Sequence, residues 1–251
     1  MRAARFVLYV LLCCVVDVTA QTIDLKDVGI PLSIYPRTEQ LIYKKGYTAS
    51  YNKETKTPNW VAWHLNRDHI TGDVPRPGAA FHEDTQVPLP RATNDDYKGS
   101  GWSRGHMCPA GDNKWDEDAM YESFLLTNVC PQHASLNSGI WNQIEILCRK
   151  WAEKYGDLDI VCGPIYFNQE HDTIGVHRVV VPEAFFKVIL CQQDGPKGIG
   201  FICRNTAGDK KKDFYVNSIS QVEHITGYVF FPGLLSETAK QVKMQANIDD
   251  W

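Results

Sequence analysis

Between Trp102 and Arg149 the sequence gathers side chains suited to hydrolysing a phosphodiester. That reaction needs an activated water, positive charge against the phosphate and help for the departing oxygen. Ser103-Arg104-Gly105-His106-Met107 comes first, followed by Pro109-Ala110-Gly111-Asp112-Asn113. Thr127-Asn128-Val129-Cys130-Pro131-Gln132 is the next block. Leu136-Asn137-Ser138-Gly139-Ile140-Trp141 then runs into Glu145 and Arg149. A histidine titrates near 6.5, so His106 can accept a proton from water around neutrality, and activity is expected to fall as the pH drops below its pKa. Arg104 stands two residues away as a counter-charge. His64, His69, His82, His133, His171, His177 and His224 lack such neighbours and read as ordinary polar residues.

A long helix must position the last block. Ile140, Trp141, Ile144, Leu147, Cys148, Trp151, Ala152 and Tyr155 recur at helical spacing, which predicts a helix over Ser138–Tyr155. Asn137 stands at its entrance, where Asn commonly caps a helix. Steps of four residues drift by about 40°, so Asn137, Trp141, Glu145 and Arg149 descend one flank. Glu145 and Arg149 there are either site residues or an i,i+4 ion pair worth a few tenths of a kcal/mol. Trp141 reads as core.

Elsewhere the pattern predicts strands at Leu41–Tyr51, Trp60–Leu65, Phe124–Val129, Leu158–Cys162, Val179–Val181, Phe185–Cys191 and Ile199–Cys203. Val74–Asn94 reads as a long surface loop and Asp118–Ser123 as a short helix. Ser220 and Glu223 form a capping-box pattern, and Leu234–Gln245 a final helix. Strands joined by short turns, with few helices between, imply an α+β fold with a mixed, mostly antiparallel sheet and flanking helices.

At this point the sequence resembles the DNA/RNA non-specific endonucleases, the sugar-non-specific nucleases of the ββα-metal type. Their pattern is Arg-Gly-His, then Asn-x-x-Pro-Gln, then Asn-x-Gly-x-Trp-x-x-Leu/Ile-Glu. Arg104-Gly105-His106, Asn128 to Gln132 and Asn137 to Glu145 follow it in order. The likeness extends to Pro58-Asn59-Trp60-Val61-Ala62-Trp63, Gly163-Pro164-Ile165-Tyr166 and Phe230-Phe231-Pro232-Gly233-Leu234, and so covers nearly all of the chain after its leader. The resemblance implies that His106 is the general base and that Asn137 is the direct ligand of one Mg²⁺, with Mn²⁺ as a substitute. It makes Glu145 a partner of the ion through water, Arg104 and Arg149 phosphate contacts, and Asn128 a polar residue of the site. Water is then the nucleophile, DNA and RNA are both substrates, and products carry 5′-phosphates. Ser103 stands where many members carry Asp, so a carboxylate that would tune the site is missing. The rival expectation is a catalytically inactive nucleic-acid-binding protein of the same fold.

A formal charge of −4 excludes a uniformly basic nucleic-acid binder but leaves 26 Lys and Arg for a local groove. Lys210-Lys211-Lys212, Lys53 and Lys56 read as solvated, with phosphate contact the sharper reading. The aromatic content of 11% supplies a core and excludes general disorder. Arg2 and Arg5, the apolar run Phe6–Val16 and Val18-Thr19-Ala20 read as a secretory signal over residues 1–20. The expectation is therefore one endonuclease domain over 21–251, exported to the periplasm or secreted, with no membrane attachment after cleavage. Cys108, Cys130, Cys148, Cys162, Cys191 and Cys203 would remain. In an exported chain these suggest disulfides, and a hairpin centred on Lys197 would set Cys191 opposite Cys203.

Overall fold

A computed structural model describes residues 29–78, 81–193, 195–208 and 210–251. The leader read at residues 1–20 lies outside the described residues. In chain order the strands that build and frame the site are β1 (Gln40–Tyr43), β2 (Thr48–Asn52), β3 (Thr57–Leu65), β4 (Ser103–His106), β5 (Val129–Gln132), β6 (Leu158–Ile165), β7 (Ala184–Cys191), β8 (Lys197–Arg204) and β9 (Val216–Asn217). The helices that accompany them around the site and sheet include α1 (Asn94–Tyr97), α2 (Glu117–Ser123), α3 (Asn142–Tyr155), α4 (Ile219–Thr226) and α5 (Ser236–Lys243).

Seven strands form the main sheet in the order β9-β8-β7-β6-β3-β2-β1. Every neighbouring pair is antiparallel. The fold is α+β, as the pattern implied. Successive side chains of a strand point to opposite faces. Phe185, Ile189 and Cys191 of β7 therefore pack with Trp141, Ile144, Cys148 and Trp151 beneath α3. Phe186, Val188 and Leu190 pack on the other face with Ile219 and Val222 of α4 and Val242 of α5. Apolar residues cover both faces, which is why the central strands read as largely hydrophobic runs.

Several boundaries differ from the sequence reading. The strand expected at Leu41–Tyr51 is two, because Lys44 N–H bonds the Tyr47 carbonyl at 2.8 Å and turns the chain. Phe124–Val129 is largely a turn with a 3₁₀ segment at Leu126–Asn128, and extended structure starts only at Val129. The capping box of α4 lies two residues earlier than read. Ser218 Oγ accepts from Gln221 N–H at 3.1 Å, and Gln221 Oε1 accepts from Ser218 N–H at 2.7 Å. That register buries Ile219 and Val222 against the sheet.

The expected disulfide is not formed. Cys191 pairs in register with Lys197, and Cys203 with Phe185. Lys197 and Gly198, read as turn residues, are paired strand residues. No disulfide joins any two of the six cysteines from Cys108 to Cys203, all of which are buried. Burial pushes the thiols of Cys148, Cys162 and Cys203 up to about 12, so they pack as small neutral hydrophobes. Among the described residues, no helix is long and apolar enough to cross a membrane.

Candidate active site

Strands β4 and β5 pair antiparallel, with His106 opposite Val129 and Ser103 opposite Gln132. Gly105 is required here, since a Cβ would stand 2.2 Å from the Gln132 side-chain oxygen. The chain leaves β5 through a short helical turn at Ala134–Leu136 and a wide turn at Asn137–Trp141 before α3 begins. The helix read as continuous from Ser138 breaks at Gly139, whose φ −96°, ψ −113° is not helical. Two strands followed by this helix surround a cavity of about 630 Å³.

Its wall carries Arg104, His106, Asn137, Glu145 and Arg149, five of the six residues singled out from sequence. The kink does not carry Asn137 away from the flank of Glu145 and Arg149. Trp141, on the same flank, is fully buried, and its Nε1–H donates to the His106 carbonyl at 3.4 Å. Asn128 is the exception. It is fully buried behind the wall, its amide donating to the Cys108 and Ser123 carbonyls, both at 2.8 Å. Its oxygen accepts from Cys108 N–H at 2.9 Å. With all its bonds spent on backbone, Asn128 fixes the chain beyond His106 and does not face the cavity. Lys53, Lys56 and Lys210–Lys212 do not line it either.

The His106 ring lies between Phe81 and Phe124, with ring centres 4.9 and 5.0 Å away. Its Nε2 is buried without a hydrogen-bond partner. Burial, with a smaller contribution from Arg76, pushes its pKa from 6.5 down to about 3. Both disfavour the imidazolium, so the ring is neutral and able to accept a proton throughout the physiological range. Loss of activity near pH 6.5 is therefore not expected from this group. Stability should respond instead. An unfolded His106 gains a proton below about 6.5 while the native ring stays neutral down to about 3, so acid removes stability across that window. At pH 4.5 the cost reaches roughly 3 kcal/mol by linkage. Urea unfolding at pH 7 and 4.5 should show the parent losing more stability than His106→Asn; equal losses would contradict a buried neutral imidazole.

Two arginines are held in place from behind. Arg149 Nη1 bonds Asp112 Oδ1 at 2.9 Å, and Trp63 Nε1–H donates to Asp112 Oδ2 at 3.1 Å. Gly111 leaves room for this guanidinium, which would stand 2.9 Å from a Cβ there. Arg104 donates to the Asn94 carbonyl of α1 at 2.8 Å and lies 5.2 Å from the Tyr97 ring centre. Asn137 has helical φ −57°, ψ −50°, so it is not an N-cap, and no protein group bonds its side-chain amide among the described residues. Glu145 is likewise without a bonded partner there. Burial pushes its carboxyl up to about 7, with Lys187 opposing and Asp112 adding to the rise.

The sequence reading missed Arg76, Asn142, Asp112 and Lys187. Arg76 and Asn142 line the cavity. Arg76 lies in the loop read as mere surface, and no pattern in Asp73-Val74-Pro75-Arg76-Pro77 marks it. Asp112 was visible in the block after His106, but its burial beneath Arg149 was not.

Two antiparallel strands, one bearing His106, lead through a turn bearing Asn137 into a helix bearing Glu145 and Arg149, a ββα arrangement. The chain matches the model of the DNA/RNA non-specific endonucleases over residues 27–237 and belongs to that family. It is 36% identical to the mitochondrial nuclease EXOG of Mus musculus, over 92% of this chain and 66% of that protein. The match spans just under two thirds of that relative's length. It is 31% identical to mitochondrial Endonuclease G of Bos taurus, over 80% of this chain and 72% of that protein. Among solved structures, a chain of the EndoG/EndoGI complex superposes with a TM-score of 0.76 at 26% identity, covering 81% of this chain and 90% of that one.

These relatives overturn the expected export to the periplasm or exterior, since they are mitochondrial nucleases. Secretory and mitochondrial leaders share a basic, acid-poor start, so Arg2 and Arg5 did not separate them. Among the described residues the six cysteines form no disulfide, which removes the other argument for export.

Proposed function

We propose that the chain is a metal-dependent endonuclease that hydrolyses DNA and RNA without sequence specificity and leaves 5′-phosphates. The observation that supports this most is the convergence on one cavity of His106, whose Nε2 has no hydrogen-bond partner, with Asn137 and Glu145, beside Arg76, Arg104 and Arg149.

The residues fit a hydrated divalent cation. Among the described residues no three His, Cys, Asp or Glu side chains converge as a closed metal cage. One amide oxygen with a carboxylate beyond it suits Mg²⁺, which keeps most of its waters. Asn137 would hold the ion directly and Glu145 through water, with Mn²⁺ able to replace it. When bound, the ion supplies Lewis-acid stabilisation of the phosphate and the departing 3′ oxygen.

His106 Nε2 takes a proton from a water, and the hydroxide formed attacks phosphorus in line with the 3′ oxygen. The incoming phosphate raises the depressed basicity of His106, since a nearby anion favours the imidazolium. Arg104 and Arg149 face the charge that builds on the phosphate oxygens, fixed beforehand by Asn94 and Asp112. Because water is the nucleophile, no ribose 2′-OH is required. Contacts confined to phosphates carry no base information. The unspent His106 nitrogen speaks against an inactive binding protein.

Three arginines at the wall imply counterion release on binding, despite the net charge of −4. For an inactive His106→Ala variant, the slope of log affinity on duplex DNA against log salt should be about −2 to −3. Fluorescence anisotropy across a salt series measures it; a flat response would contradict the phosphate roles of Arg104 and Arg149.

A further inference from the structure

Lys187 occupies the middle of β7, in the run Ala184-Phe185-Phe186-Lys187-Val188-Ile189-Leu190-Cys191, and is fully buried. It stands opposite Cys162 of β6 and Phe201 of β8, far from either sheet edge. Strand alternation places it in the row of Phe185 and Ile189, on the face beneath α3 and the cavity. No oxygen accepts a hydrogen bond from its Nζ. The ammonium instead lies between two indoles, 4.8 Å from the Trp63 ring centre and 4.7 Å from that of Trp141.

A buried charge with no oxygen partner is expensive unless other charges offset it. Burial opposes the charged form of Lys187. Cys162, Glu145, Cys148 and Asp112 outweigh it and hold its pKa above the ordinary value. Asp112, Glu145, Arg149 and Lys187 form one cluster of ionisable groups under the cavity. Arg149 and Glu145 face the cavity, and Asp112 and Lys187 lie behind them.

The two indoles each pass a hydrogen bond to a different arm of the site. Trp141 Nε1–H reaches the carbonyl of His106. Trp63 Nε1–H reaches Asp112, which holds Arg149. Cation–π attraction to one ammonium sets the tilt of both rings, and therefore the direction of both donors. We propose that Lys187 is a positioning residue for phosphodiester hydrolysis, a buried cation that orients His106 through Trp141 and Arg149 through Trp63 and Asp112. The role rests on the nuclease reading given above, and explains why a lysine interrupts an otherwise apolar central strand.

The test is Lys187→Met, which keeps the length of the side chain and removes its charge. Steady-state cleavage of a DNA duplex should show kcat lowered at least about tenfold, with KM changed less than about threefold, because orientation acts on the transition state. The melting temperature should stay within about 4 °C of the parent, since an apolar residue of similar volume fills the place of a costly buried charge. Combined with Arg149→Ala, the losses should multiply to less than their product, because both act on one guanidinium. Parental kcat, or losses that multiply fully, would overturn the proposal. If Lys187→Met does not fold, Trp63→Phe keeps a ring beside the ammonium and removes the donor to Asp112. It should show the same fall in kcat and the same coupling to Arg149→Ala, and an unchanged kcat there overturns the relay. A parent without nuclease activity would overturn the functional reading itself, whereas an active parent with an indifferent Lys187→Met overturns only the role of Lys187.

Discussion

His106→Ala is expected to lower turnover on both DNA and RNA by at least about 10²-fold, in a protein that still folds. Positioned general bases contribute about 10² to 10⁴, and among the described residues no other imidazole lines the cavity. The substitution removes ring contacts with Phe81 and Phe124 but no hydrogen bond from Nε2, so the β4–β5 pairing should persist. The His106 carbonyl still accepts from Trp141, because that bond belongs to the backbone. Circular dichroism and a turnover measurement on one sample check both halves. A folded variant with near-parental turnover would remove His106 from the mechanism. A small molecule that replaces the missing base, such as imidazole, should restore part of the rate, since the cavity emptied by the truncation opens on the substrate.

The second large effect is at Asn137. Asn137→Ala should abolish metal-supported cleavage, by at least about 10²-fold, because metal stabilisation of the transition state contributes several kcal/mol and each 1.36 kcal/mol is tenfold in rate. Binding of DNA should persist, since Arg104 and Arg149 are held by Asn94 and Asp112 and not by the ion. Stability should move by less than about 0.5 kcal/mol, the usual range for a partly exposed side chain without partners. A helix N-cap would behave oppositely, costing about 0.5 to 2 kcal/mol while leaving activity per folded molecule intact. The helical φ and ψ of Asn137 already place it inside the turn, not at its cap. Thermal melts and Mg²⁺-dependent rates on the same preparation decide the matter; early melting with parental cleavage would end the metal-ligand role.

The parts of this site that were legible in the sequence are those where local spacing determines geometry. Asn137, Glu145 and Arg149 share a flank because helical steps of four drift slowly, and even the break at Gly139 leaves them on one wall. Arg104 and His106 face the cavity together because alternate residues of a strand share a side. What could not be read depends on packing between distant segments. Asn128 has the chemistry of a site residue, but its bonds to Cys108 and Ser123 exist only after the chain has folded back on itself. The β7–β8 register was misplaced because the turn-forming letters near Lys197 outlast the turn itself. Burying Ile199, Phe201 and Cys203 beside Phe185, Ile189 and Cys191 decides the pairing, and Lys197 joins the strand. Lys187 hid for a related reason, since a lone lysine in an apolar run carries no local sign of being buried.

The central claim is that this cavity hydrolyses phosphodiesters of either sugar with a divalent cation. The direct measurement is digestion of a DNA duplex and of an RNA of similar length by the purified protein, with Mg²⁺ and with the ion removed by a chelator, and with end-labelling of the products. Both substrates should be cut internally in Mg²⁺, neither should be cut with the chelator, and the new ends should carry 5′-phosphates. Cleavage that persists in the chelator, or cleavage of RNA alone, would contradict a site in which water is the nucleophile and Asn137 holds the ion.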